Sequence, residues 1–216
     1  MKNLISNYRE FKEKIIDLSK ENPPKKLLLH SCCAPCSTHV LTILAKIAKV
    51  TILFYNPNID TKNEYDTRLF EVKQLIHSMQ LPIQVVELGY QHNDFLKAIQ
   101  GKETLGERSS RCYACYEERL IVTANYAKEN GYDYFTTTLS ISPYKNSNWL
   151  NEIGYRLSSD TCQYLYSNYK KENGYQHSIA LSKQYQLYRQ DYCGCEFSKK
   201  EHEIHLALAE KEKRYE

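Results

Sequence analysis

Seven of the chain's eight cysteines crowd into three short stretches: Cys32, Cys33 and Cys36 in HSCCAPCS (30–37), Cys112 and Cys115 in RCYAC (111–115), and Cys193 and Cys195 in YCGC (192–195). The eighth, Cys162, stands alone and reads as a buried thiol acting as a small hydrophobe. In a reducing compartment, clustered thiols bind metal or carry out redox work more often than they staple a fold. The amino-terminal stretch MKNLISNYREFKEKIIDLSKENPP is charged throughout, unlike an apolar secretory signal. No apolar run approaches the ~20 residues of a membrane span. A cytoplasmic protein is therefore expected, with no membrane partner.

Cys32, Cys33 and Cys36 sit at the start of one expected helix, and Cys112 and Cys115 at the start of another. The helix dipole and free N–H groups favour thiolate at such positions, and Arg108 and Arg111 flank the second pair. Four thiolates from two such turns would hold zinc or an iron–sulfur cluster. Structural zinc takes cysteines separated by two to four residues. CYAC fits that spacing, whereas the adjacent Cys32 and Cys33 should project apart. A cluster spreads its ligands over several irons and ranks ahead of zinc on that ground. YCGC leaves three readings open. A disulfide across one residue would be strained and easily reduced, as suits a redox pair. The two thiols could instead form a second metal clamp, or, least favoured in the cytosol, a structural disulfide.

The elements that must position these thiols follow from hydrophobic pattern. KLLLH (26–30), VTILFYN (50–56), IQVVEL (83–88) and YDYFTTTLS (132–140) read as strands, the first two as buried parallel ones. Helical stretches alternate with them: STHVLTILAKIAK, NEYDTRLFEVKQLIHSM (63–79), the short HNDFLKAIQ, and YEERLIVTANYAKENG (116–131), stopped by Gly131. The amino-terminal stretch reads as a surface helix with Ile5, Tyr8, Ile15 and Leu18 on one side, ended by Pro23-Pro24. This alternation predicts one α/β domain over 1–216, built on a parallel sheet with helices on both faces. Residues 1–24 supply the amino-terminal helix, 25–145 the βαβ core and 146–216 a helical, loop-rich elaboration. Ligands of such sheets bind beyond the carboxyl ends of the strands, where the first thiol turn must lie. A phosphate-cradling loop there would need glycines. The chain has seven, the first being Gly89, so nucleotide binding at the first turn is disfavoured.

A net charge of +3 is too small to define a partner. The 19 tyrosines say more, being dense between Tyr155 and Tyr192 among Lys, Arg, Asn and Gln. Such a surface stacks unpaired bases and holds phosphates. The competing reading, amphipathic core tyrosines with wet hydroxyls, carries equal weight on composition alone.

Taken in order, LLLHSCCAPCS, FYNPNI (54–59), EYDTR (64–68), RCYACYEERL (111–120), TTTLSISPYKN (136–146) and YRQDYCGC (188–195) resemble the cobalamin-independent epoxyqueuosine reductase family. The likeness runs from about Leu27 to about Lys200 and rests on six motifs in sequence. It implies an adenine-nucleotide-hydrolase-like α/β fold without nucleotide use. It also implies the last step of tRNA queuosine synthesis: reduction of the epoxide of epoxyqueuosine at the wobble position. Carried over by position, Cys32, Cys33, Cys112 and Cys115 would hold a [4Fe–4S] cluster, and Cys193 and Cys195 would form a redox-active disulfide. The family varies between Cys and Asp at the position of Cys36, which assigns Cys36 to a second, mononuclear iron beside the cluster. The partners implied are tRNA carrying epoxyqueuosine in its anticodon loop and an electron donor that the sequence does not identify. One departure is Asp60-Thr61, where the family commonly has His-Pro. Contacts with tRNA are expected from the Tyr-rich carboxy-terminal third with Lys145, Lys170, Lys171, Lys183 and Arg189. Two rival readings are a zinc-stabilised RNA-binding module without catalysis and a thiol–disulfide oxidoreductase using CYAC.

Overall fold

A computed structural model describes residues 8–212, so Ile5 of the expected amino-terminal helix lies outside the described residues. Five strands form one parallel sheet: β1 (Lys26–His30), β2 (Lys49–Phe54), β3 (Gln84–Glu87), β4 (Tyr134–Thr137) and β5 (Gln163–Tyr164), in the order β3-β2-β1-β4-β5. The helices are α1 (Tyr8–Leu18), α2 (Ala34–Leu44), α3 (Lys62–Ser78), α4 (His92–Ala98), α5 (Ser110–Glu129), α6 (Ser147–Leu157), α7 (Gly174–Gln184) and α8 (Glu196–Glu212). Side chains alternate across the central strand. Leu27 and Leu29 face a core with α1, α2 and α3, while Leu28 joins Leu120, Phe135 and Ile153 on the opposite face under α5 and α6. Burial on both faces explains why KLLLH reads as a continuous apolar run. Among the described residues, no helix is long and apolar enough to cross a membrane.

Several boundaries differ from the expected ones, and the differences move chemistry. Strand β4 stops at Thr137 because its hydroxyl accepts the Leu139 N–H at 3.1 Å, turning the chain into a 3₁₀ turn over Thr138–Ile141. Helix α5 starts at Ser110 rather than Tyr116, since Ser109 caps it by accepting from the Arg111 N–H. Cys112 and Cys115 thus lie within that helix, one turn apart. Helix α2 starts at Ala34 with Pro35 in its first turn, and Cys33 is its N-cap. Strand β5 is only two residues long, too short for an alternating pattern to register in sequence.

Helix α7 packs on α2, where His39 and His177 meet Nδ1 to Nδ1 at 2.9 Å. Burial, then the charge of His177, lowers the pKa of His39. The folded state therefore takes up a proton at lower pH than the unfolded chain does, and stability falls as pH drops from the unfolded value of about 6.5. The thermal midpoint of the native chain is expected to fall more between pH 7 and 5 than that of His177→Gln, which keeps a polar partner but removes the like charge. Equal slopes in a pH series of melting curves would refute this.

Candidate active site

The chain leaves β1 toward β2 on one side and later returns to β4 on the other, so the sheet's switch point lies between β1 and β4. Crevices form at the carboxyl ends of such strands. His30 ends β1, fully buried, and ties three strand ends together: its Nδ1 accepts from the Thr137 hydroxyl at 2.8 Å and its Nε2–H donates to the Tyr55 carbonyl at 3.0 Å. Burial, then the charge of Arg119, lowers its pKa to about 4, so the ring is neutral at physiological pH. The thiol turn rests on this support. Ser31 and Ser37 share a 2.7 Å hydrogen bond, and the Asn56 side-chain N–H donates to the Ser31 carbonyl.

The sulfurs of Cys32, Cys33 and Cys36 all lie within 4.8 Å of one another, with Cys32 and Cys33 3.8 Å apart. The expectation that adjacent cysteines diverge is therefore incorrect here. With metal–sulfur bonds of about 2.3 Å, two corners of a tetrahedron are about 3.8 Å apart. The break in backbone direction at Cys33, extended just before α2, turns the two side chains together. Hydrogen bonds from the Cys33 and Cys36 thiols hold Cys32 well below the ordinary thiol range. That same pairing with Cys32 pushes Cys33 and Cys36 upward. Three sulfurs confined this way shed one proton readily and the next two only against its charge, which is an arrangement that a cation completes.

Cys115 is buried on α5 beside Phe95, Ile99 and Cys195, and Cys112, half-buried, packs on the same core cluster as Cys32. Burial is the main cause raising both thiols, Cys115 to about 11, and Cys193 adds to each. Helix α5 also supplies a cation that sequence reasoning missed. Arg119, 1% exposed, donates to the Cys115 carbonyl at 3.1 Å and to its sulfur at 3.3 Å. Burial opposes its charge, but Cys115, Cys193 and Cys32 outweigh that and raise its pKa. The signal was available: Arg119 follows Cys115 by four residues, one turn along the same face.

All eight cysteines are free thiols, so Cys193 and Cys195 stand unbonded. Lys145 Nζ donates to the Cys193 sulfur at 2.7 Å, whereas the Cys195 sulfur accepts from the Ser198 N–H at 3.4 Å. Two motifs that sequence reading left without a role hold this loop. Arg68, 3% exposed, pairs with Glu64 at 2.6 Å and donates Nη1 to the Cys193 carbonyl. Asp60, at the position where the family departs, donates its N–H to the Gly194 carbonyl, and its carboxylate accepts from Tyr192 and Lys199. Gly194 has φ +114°, and a Cβ there would lie 2.9 Å from Arg68 Nη1. Gly194→Ala should therefore displace the loop from Arg68 and cut activity at least about tenfold, since strain of this kind costs about 1–3 kcal/mol. Turnover at the native rate in that variant would refute the fit.

A cleft of about 540 Å³ opens over these groups, lined by Cys32, Cys33, Cys36, Lys145 and Cys193 among others. Asn56 and Asn58, both buried, line it too, and each leaves its side-chain carbonyl oxygen unpartnered, as Arg68 leaves Nη2. Of the residues expected to meet tRNA, Arg189 lines the cleft and Lys171 and Lys183 are exposed. Lys145 instead faces the Cys193 sulfur, and Lys170 props the neighbouring loop through the Ser142 and Lys145 carbonyls. Tyr164 and Tyr169 are core residues, whereas Tyr155 and Tyr188 are exposed.

The Cys32–Cys33–Cys36 trio offers soft sulfur donors of the kind that iron–sulfur clusters and zinc take, while Cys112 and Cys115 stand outside that 4.8 Å group. Cysteines stand where a glycine loop would cradle phosphate, on a parallel sheet of the adenine-nucleotide-hydrolase-like class. The chain belongs to the epoxyqueuosine reductase QueH family, whose model matches residues 27–201. The protein named Epoxyqueuosine reductase QueH from Streptococcus pyogenes serotype M1 is 38% identical over 198 residues, covering 89% of this chain and 78% of that one. Its namesake from Staphylococcus aureus is 38% identical over 220 residues, covering 98% and 92%. Among solved structures, the U34-tRNA thiolase NcsA from Methanococcus maripaludis, determined with its [4Fe-4S] cluster, aligns at TM-score 0.50 and 11% identity over 94% of this chain and 74% of that chain. At that identity the likeness is one of fold.

Proposed function

We propose that the protein is an oxidoreductase that removes the epoxide oxygen of epoxyqueuosine at the wobble position of tRNA, leaving the alkene of queuosine and releasing water. The observation that carries this reading is the gathering of the Cys32–Cys33–Cys36 trio, Cys193 and Lys145 around one cleft at the sheet's switch point. Cys32, Cys33, Cys112 and Cys115 would hold a [4Fe–4S] cluster and Cys36 a second iron. Such centres supply electrons singly and a Lewis acid for oxygen. Arg119 and Lys145 balance the negative charge of the thiolates. Asn56, its orientation fixed by donation to Ser31, leaves its Oδ1 to accept a ring hydroxyl. Lys145, its pKa raised by Cys193 and Tyr116 against the opposing effect of burial, holds a proton beside the cleft.

The reaction consumes an electron pair and two protons, so a separate donor must deliver electrons. The wobble base has to leave its stack to reach thiols at the floor of a cleft, as target bases do in other enzymes that modify them. The deciding test is anaerobic incubation of the purified protein with tRNA carrying epoxyqueuosine and a reductant, followed by nucleoside mass spectrometry. Conversion to queuosine is expected; an unchanged epoxide with metal-replete protein would overturn the proposal. A colourless protein holding stoichiometric zinc would overturn the cluster.

A further inference from the structure

A second cavity of about 210 Å³ lies against the thiol cleft, lined by Arg108, Tyr116, Pro143, Tyr144, Asn146 and Trp149 together with Lys145. Arg108, Tyr144 and Lys145 line both cavities, so the two adjoin. The smaller one falls below the ~300 Å³ lower bound of sites for drug-sized ligands, a size that suits one planar ring system. Its walls have two kinds of chemistry. Tyr144 is 59% exposed, and the Arg108 guanidinium lies 5.8 Å from the centre of its ring. Trp149 is half-buried, its indole braced edge-on by Tyr113 at 5.6 Å and its backbone N–H donated to the Asn146 side chain. Of the acids nearby, Glu152 accepts from Tyr113 and Glu117 from Arg156, while Glu107, next to Arg108 in the chain, lines the larger cleft. What remains is an aromatic floor with a guanidinium at its rim, the pairing that stacks an unpaired base and meets its phosphate.

We propose that this second cavity receives the base of the nucleotide adjoining the one whose base enters the thiol cleft, in single-stranded RNA. The inference rests on the proposed action on tRNA and adds to it a contact site on the loop before α6, outside the Tyr-rich carboxy-terminal third. Occupying both cavities at once would hold the strand splayed, which fixes which base reaches the sulfurs. The wall that the two cavities share sets the one-nucleotide separation. The positive rim disfavours an acidic peptide as occupant.

Trp149 is the chain's one tryptophan, so its emission reports this cavity alone. The experiment titrates anaerobically purified holoprotein with a synthetic anticodon stem–loop RNA, following Trp149 fluorescence and, in parallel, the anisotropy of labelled RNA. Saturable quenching that tracks binding is expected. Stem–loops abasic at the position before or after the wobble nucleotide serve as controls: one of the two should bind roughly 10-fold more weakly and lose the quenching, in line with removal of one stacked base. Tyr144→Ala, at an exposed position, should weaken the intact stem–loop by a similar factor while leaving its abasic counterpart unaffected. Tight binding with no change in Trp149 emission, and equal affinity of both abasic RNAs, would overturn this site while leaving action on tRNA standing. Absence of any RNA binding would overturn both.

Discussion

Serine in place of Cys32, Cys33, Cys112 or Cys115 is expected to abolish turnover and strip most of the iron, each substitution alone doing what all four would do together. A cluster held by four thiolates from two helix starts loses an iron when one corner is opened to water, and ligands acting as a unit are not additive. The compact trio sharpens the contrast within HSCCAPCS. Cys36 is on the first turn of α2 and belongs to the 4.8 Å group, yet its proposed partner is a separate iron. Cys36→Ala should keep the broad visible absorbance and lose a fraction of the metal together with most of the activity. Cys162→Ser is the control. Its sulfur is buried with Phe135 and Tyr164 just before the amino end of β5, whereas the thiol turn lies at the carboxyl ends of the strands, so absorbance and rate should persist while stability drops about 1–3 kcal/mol from burying a hydroxyl. Iron content and visible spectra of anaerobically prepared variants decide the matter. Full cluster content in Cys112→Ser would refute the assignment.

How much of this was legible in sequence follows from the range of the forces involved. Strands β1 and β2 are buried on both faces, so their apolar runs were unmistakable, and with them the position of the thiol turn at the sheet edge. The start of α5 was missed because it depends on a single cap at Ser109 and not on a periodic pattern. The relative aim of Cys32 and Cys33 was misjudged because it depends on one backbone rotation, which spacing does not encode. Lys145 and Lys170 looked like phosphate ligands because charge in a sequence carries no direction; tertiary packing turned one toward sulfur and the other toward loop carbonyls. Arg68 and Asp60 were invisible as site residues for the same reason. Each acts across more than one element, and their partners at Cys193 and Gly194 are more than 100 residues away.

Lys145→Met is expected to lower kcat about 100-fold, the low end for loss of a positioned proton-handling group, with little change in iron content. Lys145 Nζ lies 2.7 Å from the Cys193 sulfur in a loop fixed by Asp60, Arg68 and Gly194. Methionine preserves the stem and deletes the ammonium, leaving the sulfur without its charged donor. Lysine could serve in two ways: by giving a proton to the oxygen that leaves, or by holding Cys193 for a dithiol–disulfide cycle with Cys195 that relays the electron pair. The two are separable by a double-mutant cycle. If Lys145 works through Cys193, then Lys145→Met should have almost no further effect in a Cys193→Ser background, and alkylating the native thiols under reducing conditions should stop turnover while the visible spectrum persists. If it protonates the oxygen directly, the two losses should multiply. The Cys193→Ser/Cys195→Ser protein sets the limit of the relay: turnover at the native rate there would eliminate it and leave Lys145 as an acid whose nearest sulfur is incidental.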